Sequence, residues 1–63
     1  SITLTCAVQA GYSYAVQRCT DLGAGNWIDV AAWPSVPATA SAQFSEAPPG
    51  ANVFYRVVVT GVP

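Results

Sequence analysis

Val53-Phe54-Tyr55-Arg56-Val57-Val58-Val59-Thr60 reads as a β-strand along its whole length. β-Branched and aromatic side chains fill it, and only Arg56 and Thr60 are polar, which is the composition that suits a pleated, half-buried surface. Alternation sets Val53, Tyr55, Val57 and Val59 on one face and Phe54, Arg56, Val58 and Thr60 on the other. A single buried face explains the first set but not Phe54 and Val58. The strand is therefore expected to be covered on both sides or to show an apolar stripe to solvent.

Working outward, Pro48, Pro49 and Gly50 form a turn ahead of this strand, and Thr39 to Glu46 alternates before it, with Ala40, Ala42 and Phe44 opposite Thr39, Ser41, Gln43 and Ser45. Trp27 to Trp33 alternates again and ends at Pro34, which cannot donate to a ladder. Tyr12 to Cys19 places Tyr12, Tyr14, Val16 and Arg18 on one side and Ser13, Ala15, Gln17 and Cys19 on the other. Ile2, Leu4, Cys6 and Val8 share a face of the first segment, and Gln9-Ala10-Gly11 turns the chain. Asp21, Gly23, Gly25 and Asn26 mark a loop, and Pro34 to Ala38 a connection. The fold class is all-β. Five short strands without a helix predict one small antiparallel β-sandwich, or a barrel-like sheet, spanning 1–63.

Charge is scarce. Arg18, Arg56, Asp21, Asp29 and Glu46 are the only ionising side chains of the five charged types, 8% of the chain against 52% hydrophobic residues. Soluble domains usually carry about a quarter charged residues, so part of this surface is expected to be covered by copies of the same chain or by glycan. A net charge of −1 without clustered Lys or Arg offers no footprint for nucleic acid or anionic lipid. No apolar run approaches the roughly 20 residues of a helical membrane span, so membrane insertion is not expected.

Ser1 runs straight into a strand and the chain has no methionine, so removal of an N-terminal export segment is expected, placing the protein outside the cell or on its surface. Export would allow Cys6 and Cys19 to oxidise to one another. Closing that loop would contribute roughly 3 kcal/mol, a large share of what one small core supplies. A metal or redox site is not expected, because there is no histidine, no third cysteine and no C-x-x-C spacing.

The stretch Tyr14-Ala15-Val16-Gln17-Arg18-Cys19-Thr20-Asp21-Leu22, then Asn26-Trp27, then Phe54-Tyr55-Arg56-Val57, resembles a bacterial module with the pattern Y-x-V-Q-x-S-T-D-L, N-W, F-Y-R-V. Such modules are similar to fibronectin type III or immunoglobulin-like β-sandwich repeats of secreted and cell-surface proteins. The resemblance implies that Tyr14, Val16, Leu22, Trp27, Tyr55 and Val57 are core or strand-boundary residues. Cys19 stands where the pattern has serine, which implies a stapled, free-standing copy with Cys6 as its mate. Val58 stands where such modules often carry a charge, which again implies a covered surface.

Catalysis finds little to work with. The only acids lie on three different predicted segments, and no histidine or lysine is present to activate a serine. Gly23 and Gly25 stand alone, without the following helix that a phosphate loop needs. No enzyme activity and no cofactor are expected. The chain instead reads as an extracellular structural subunit that assembles through strand edges and apolar faces into a fibre or surface layer, with Phe54, Arg56 and Val58 at the joint. Copies of itself are then its partners. The rival is a carbohydrate-binding or spacer module excised from a larger secreted protein, with Trp27, Trp33 and Asn26 contacting glycan, and with Tyr12, Gln17 and Asp29 as further candidates. Pro34 to Gly50 is rich in Ser, Thr, Pro and Ala, so Thr39, Ser41 and Ser45 are candidate O-glycosylation positions.

Overall fold

The computed structural model describes all residues, Ser1–Pro63, and shows five antiparallel strands in two sheets with no helix. β1 is Ile2–Val8, β2 Ser13–Cys19, β3 Ile28–Trp33, β4 Ala40–Glu46 and β5 Phe54–Gly61. One sheet pairs β1 with β4, and the other has the order β3-β2-β5. The molecule measures 34 × 23 × 13 Å along its principal axes. Its short axis therefore holds only two layers, since stacked sheets lie about 10 Å apart.

The alternation read from the sequence sets which residues share a face, and strand pairing sets the registers. In the first sheet Ile2 pairs with Glu46 and Val8 with Ala40, without interruption. Thr3 and Ser45, opposite one another on its outer face, join hydroxyls at 2.9 Å. β2 is the central strand of the second sheet. Val16 sits opposite Ala31 on one side and Val57 on the other, and no part of it reaches solvent. Val30 is an extra residue in β3, where the pairing with β2 shifts between Val16 and Gln17. Such a bulge bends and twists the strand that carries it.

Only 6 of 63 residues are buried, so the core is thin. Val8, Tyr14 and Val36 form its centre, with Cys6, Trp33, Ala42 and Val57 packed around them. The β1–β2 turn closes this end. Gln9 N donates to the Tyr14 hydroxyl at 2.9 Å, Gly11 N to the Val36 carbonyl at 2.9 Å, and Val36 N to the Tyr12 carbonyl at 3.0 Å. Gly11 has φ 86° and would bring a Cβ to 3.2 Å from Pro63, so the turn accepts glycine for both conformation and space.

The expected Cys6–Cys19 disulfide is absent, and both cysteines are free. Cys6 lies on the inward face of β1 beside the Val8–Tyr14–Val36 cluster. On β2, Arg18 points inward to Glu46 of the other sheet whereas Gln17 meets Asp29 and Arg56 on the outer face, so alternation turns Cys19 outward. The two sulfurs therefore face away from one another across the three-stranded sheet, and a disulfide needs Cα atoms within about 7 Å with converging Cβ vectors. The Cys19 thiol instead donates to Asn26 Oδ1 at 3.0 Å. The melting temperature is accordingly expected to be the same with and without a thiol reductant. A drop on reduction, read by circular dichroism, would restore the staple.

Candidate functional site

Residues 20–27 form a compact loop at the Cys19 end of β2. Asp21 Oδ1 accepts from Gly23 N at 2.9 Å and Ala24 N at 3.3 Å, the side-chain turn that aspartate makes with the backbone ahead of it. Asn26 Oδ1 accepts from Thr20 N and Asp21 N as well as from the Cys19 thiol, and its Nδ2 donates to Thr20 Oγ1. Trp27 N donates back to the Gly25 carbonyl, so Trp27 belongs to this turn and β3 begins one residue later than the alternation predicts.

From the loop, Trp27 reaches the outer face of the three-stranded sheet. The Arg56 guanidinium lies 4.1 Å from its ring centroid. Arg56 Nε donates to Gln17 Oε1 at 2.7 Å, and Gln17 Nε2 donates to Asp29 Oδ1 at 2.9 Å. Cross-strand register accounts for this row, since Gln17 is opposite Asp29 in β3 and Arg56 in β5. The amide of Gln17 is used at both ends.

The two edges of this sheet also collect exposed apolar side chains. Ile28 on β3 is 51% exposed, and on β5 Phe54 is 40% and Val59 56% exposed. Leu22 in the loop before β3 and Val62 just after β5 are also exposed, while β1 and β4 carry no exposed large apolar residue. Leu22, for which the resemblance implied a core or strand-boundary place, is exposed in the loop between β2 and β3. Of the three residues expected at a self-assembly joint, Phe54 and Arg56 are exposed and Val58 is half-buried opposite Ala15.

The residues expected to meet glycan are not brought to one place. Trp27 is on the outer face with Gln17 and Asp29, Trp33 is on the inner face against the core cluster, and Asn26 is turned into its loop. Trp33 borders an apolar groove of about 360 Å³ with Val8, Val36, Pro37, Ala40 and Ala42. Thr39, Ser41 and Ser45 are all exposed. Thr39 Oγ1 accepts from Ala10 N and Ser45 bonds Thr3, whereas Ser41 makes no side-chain hydrogen bond.

A third cluster closes the gap between the sheets at the end away from Tyr14. Arg18 Nη1 is 3.0 Å from both Glu46 oxygens, and the Tyr55 hydroxyl donates to Glu46 Oε2 at 2.6 Å. The Phe44 ring packs beside Tyr55, with centroids 6.4 Å apart. The hydrogen bond from Tyr55, and after it the Arg18 guanidinium, hold the Glu46 carboxyl below the usual glutamate range against the opposing effect of desolvation. Desolvation, and then the Glu46 carboxylate, push the Tyr55 phenol above its usual range. Sequence reasoning missed this ion pair, although alternation places both Arg18 and Glu46 on inward faces, where a charge needs a partner.

No group of three or more histidine, cysteine, aspartate or glutamate side chains that could hold a metal ion is present. Comparison with known proteins finds no matching family model, no matching curated protein and no matching solved structure.

Proposed function

We propose that the chain is a structural, non-catalytic subunit that joins copies of itself through strand edges and apolar faces into an extracellular fibre or surface layer. One observation carries this reading. Three of the five exposed large apolar residues, Ile28, Phe54 and Val59, lie on the two edge strands of the β3-β2-β5 sheet, and a fourth, Val62, directly follows β5. Natural edge strands are commonly blunted by lysine, and this chain has none. Each uncovered edge offers unpaired backbone groups to a neighbouring strand, and the apolar side chains beside it add buried area. Placement outside the cell rests on the resemblance to secreted modules, since the free cysteines lend it no support.

Sedimentation velocity of the folded chain over a range of concentrations is the test. Mass is expected to rise with concentration, and Phe54→Lys is expected to raise the assembly threshold several-fold, because it removes an apolar contact and sets a charge on the edge. Val58→Lys is expected to act more weakly in the same direction, since Val58 is already half covered within its own sheet. A chain that stays a single particle throughout would overturn the reading. The second reading, a carbohydrate-binding or spacer module, is favoured by the placement of Trp27 against Arg56, which continues the row of Gln17 and Asp29 on the same face. A single particle that binds oligosaccharide, and loses that binding on Trp27→Ala, would establish it.

A further inference from the structure

Each end of the outer-face row keeps unused bonding capacity of opposite sign. Arg56, on the edge strand β5, donates Nε to Gln17 and stacks its guanidinium on Trp27, which leaves Nη1 and Nη2 without a hydrogen-bond partner. Asp29 spends only Oδ1, leaving Oδ2 free on the edge strand β3. We propose that copies join head to tail, the β5 edge of one against the β3 edge of the next, so that the row Asp29–Gln17–Arg56 continues from copy to copy through an Arg56–Asp29 pair. This rests on the assembly reading above and adds to it the contact and its polarity.

Direction and charge select this join. β3 and β5 both run antiparallel to β2, hence parallel to one another, so a sideways step of one whole sheet sets β5 beside the next β3 as a parallel pair. Neighbouring strands lie about 4.8 Å apart, within reach of a guanidinium and a carboxylate on the same face. Pairing of like edges gives the opposite result. β5 against β5 brings Arg56 towards Arg56, and β3 against β3 brings Asp29 towards Asp29, an arrangement that destabilises a strand pair. The bulge at Val30 shortens the regular run that β3 can offer, which gives the charged pair more weight relative to main-chain hydrogen bonds. A contact between two different edges does not close on itself, and the product is an open filament rather than a dimer.

The test compares the wild-type chain with Asp29→Arg and Arg56→Asp by sedimentation velocity at neutral pH and low salt, with folding checked by circular dichroism. Wild type is expected to grow past the dimer as concentration rises. Each reversal is expected to raise the assembly threshold at least about tenfold, and an equimolar mixture of the two variants is expected to assemble again because opposite charges then meet at every join. If either reversal prevents folding, Asp29→Asn and Arg56→Gln take its place, with a several-fold weakening expected. The inference is overturned if wild type stops at a dimer, if reversal or neutralisation leaves assembly unchanged, or if the mixture fails to recover. The last two outcomes leave the assembly reading intact, whereas a dimer as end point overturns the fibre or surface layer as well. A wild-type chain that never leaves the single-particle state overturns both.

Discussion

Val16→Asp is expected to leave the chain unfolded at room temperature, seen as loss of the far-ultraviolet β signal and of a cooperative melt. Val16 is wholly enclosed in the central strand of the three-stranded sheet, with Ala31 and Val57 on either side. An aspartate there must either bury a charge or take up a proton, and both routes cost several kcal/mol. A 63-residue domain with one thin core commands only about 3–5 kcal/mol in total. Val16→Ala separates the electrostatic cost from the lost packing. It removes two methyl groups from a close-packed site and is expected to cost about 2 kcal/mol, leaving a weakened but folded chain. Thr5→Asp, on the exposed face of β1, is expected to change stability by less than about 1 kcal/mol. A folded Val16→Asp variant with a melt close to wild type would contradict the placement of β2 at the centre.

The second large effect is expected at Glu46. Its carboxylate is the one group that bonds side chains from both strands β2 and β5 of the opposite sheet, and its side chain is 19% exposed. Glu46→Gln loses the ion pair and leaves the Arg18 guanidinium, itself 21% exposed, without its counter-charge. A lower melting temperature than wild type is expected at neutral pH, with a fall greater than for Asp21→Asn in the solvent-facing loop. The pH dependence has two limbs. The folded-state pKa of Glu46 is lowered, so its contribution is complete above the ordinary glutamate value and disappears as pH falls through the lowered one. Tyr55 is shifted upward, so its contribution is complete below about pH 10 and is lost as pH rises through the raised value. Thermal melts from acid to alkali should therefore trace a plateau with a fall at each side. Tyr55→Phe should remove the alkaline fall and, by taking away the hydrogen bond that does most to lower Glu46, move the acid fall to higher pH. A curve for Tyr55→Phe that matches wild type would show that the phenol does not engage Glu46.

All five strands were legible because period-two alternation survives any detail of packing. Their bounds moved by a residue or two for local reasons. Trp27 drops out of β3 because its N–H turns back to Gly25, and β5 runs on to Gly61, opposite Ser13. The bulge at Val30 left no trace in composition, since valine suits a regular strand equally well. Cys6 and Cys19 misled through parity, two cysteines in a short chain being read as a pair. Their strand positions already set them apart, Cys6 with Leu4 and Val8, and Cys19 with Ala15 and Gln17. The same positional logic, carried through, would have put Arg18 and Glu46 on inward faces, but the pair went unread. What alternation could not supply was which sheet covers which, because β1 joins β4 across 31 intervening residues numbered 9–39 and no local pattern encodes that choice. The placement of Asp29, Gln17 and Arg56 in one row likewise needed the registers of two separate strand pairs.

The two ends of the space between the sheets are sealed by different chemistry, oily around Tyr14 and ionic around Glu46. Solvent can therefore choose where unzipping starts. Acid or concentrated salt attacks the ionic seal, and amides around Leu4 and Phe44 should exchange hydrogen first. Chilling weakens the oily seal, and protection should then fade from the neighbourhood of Val8 and Trp33.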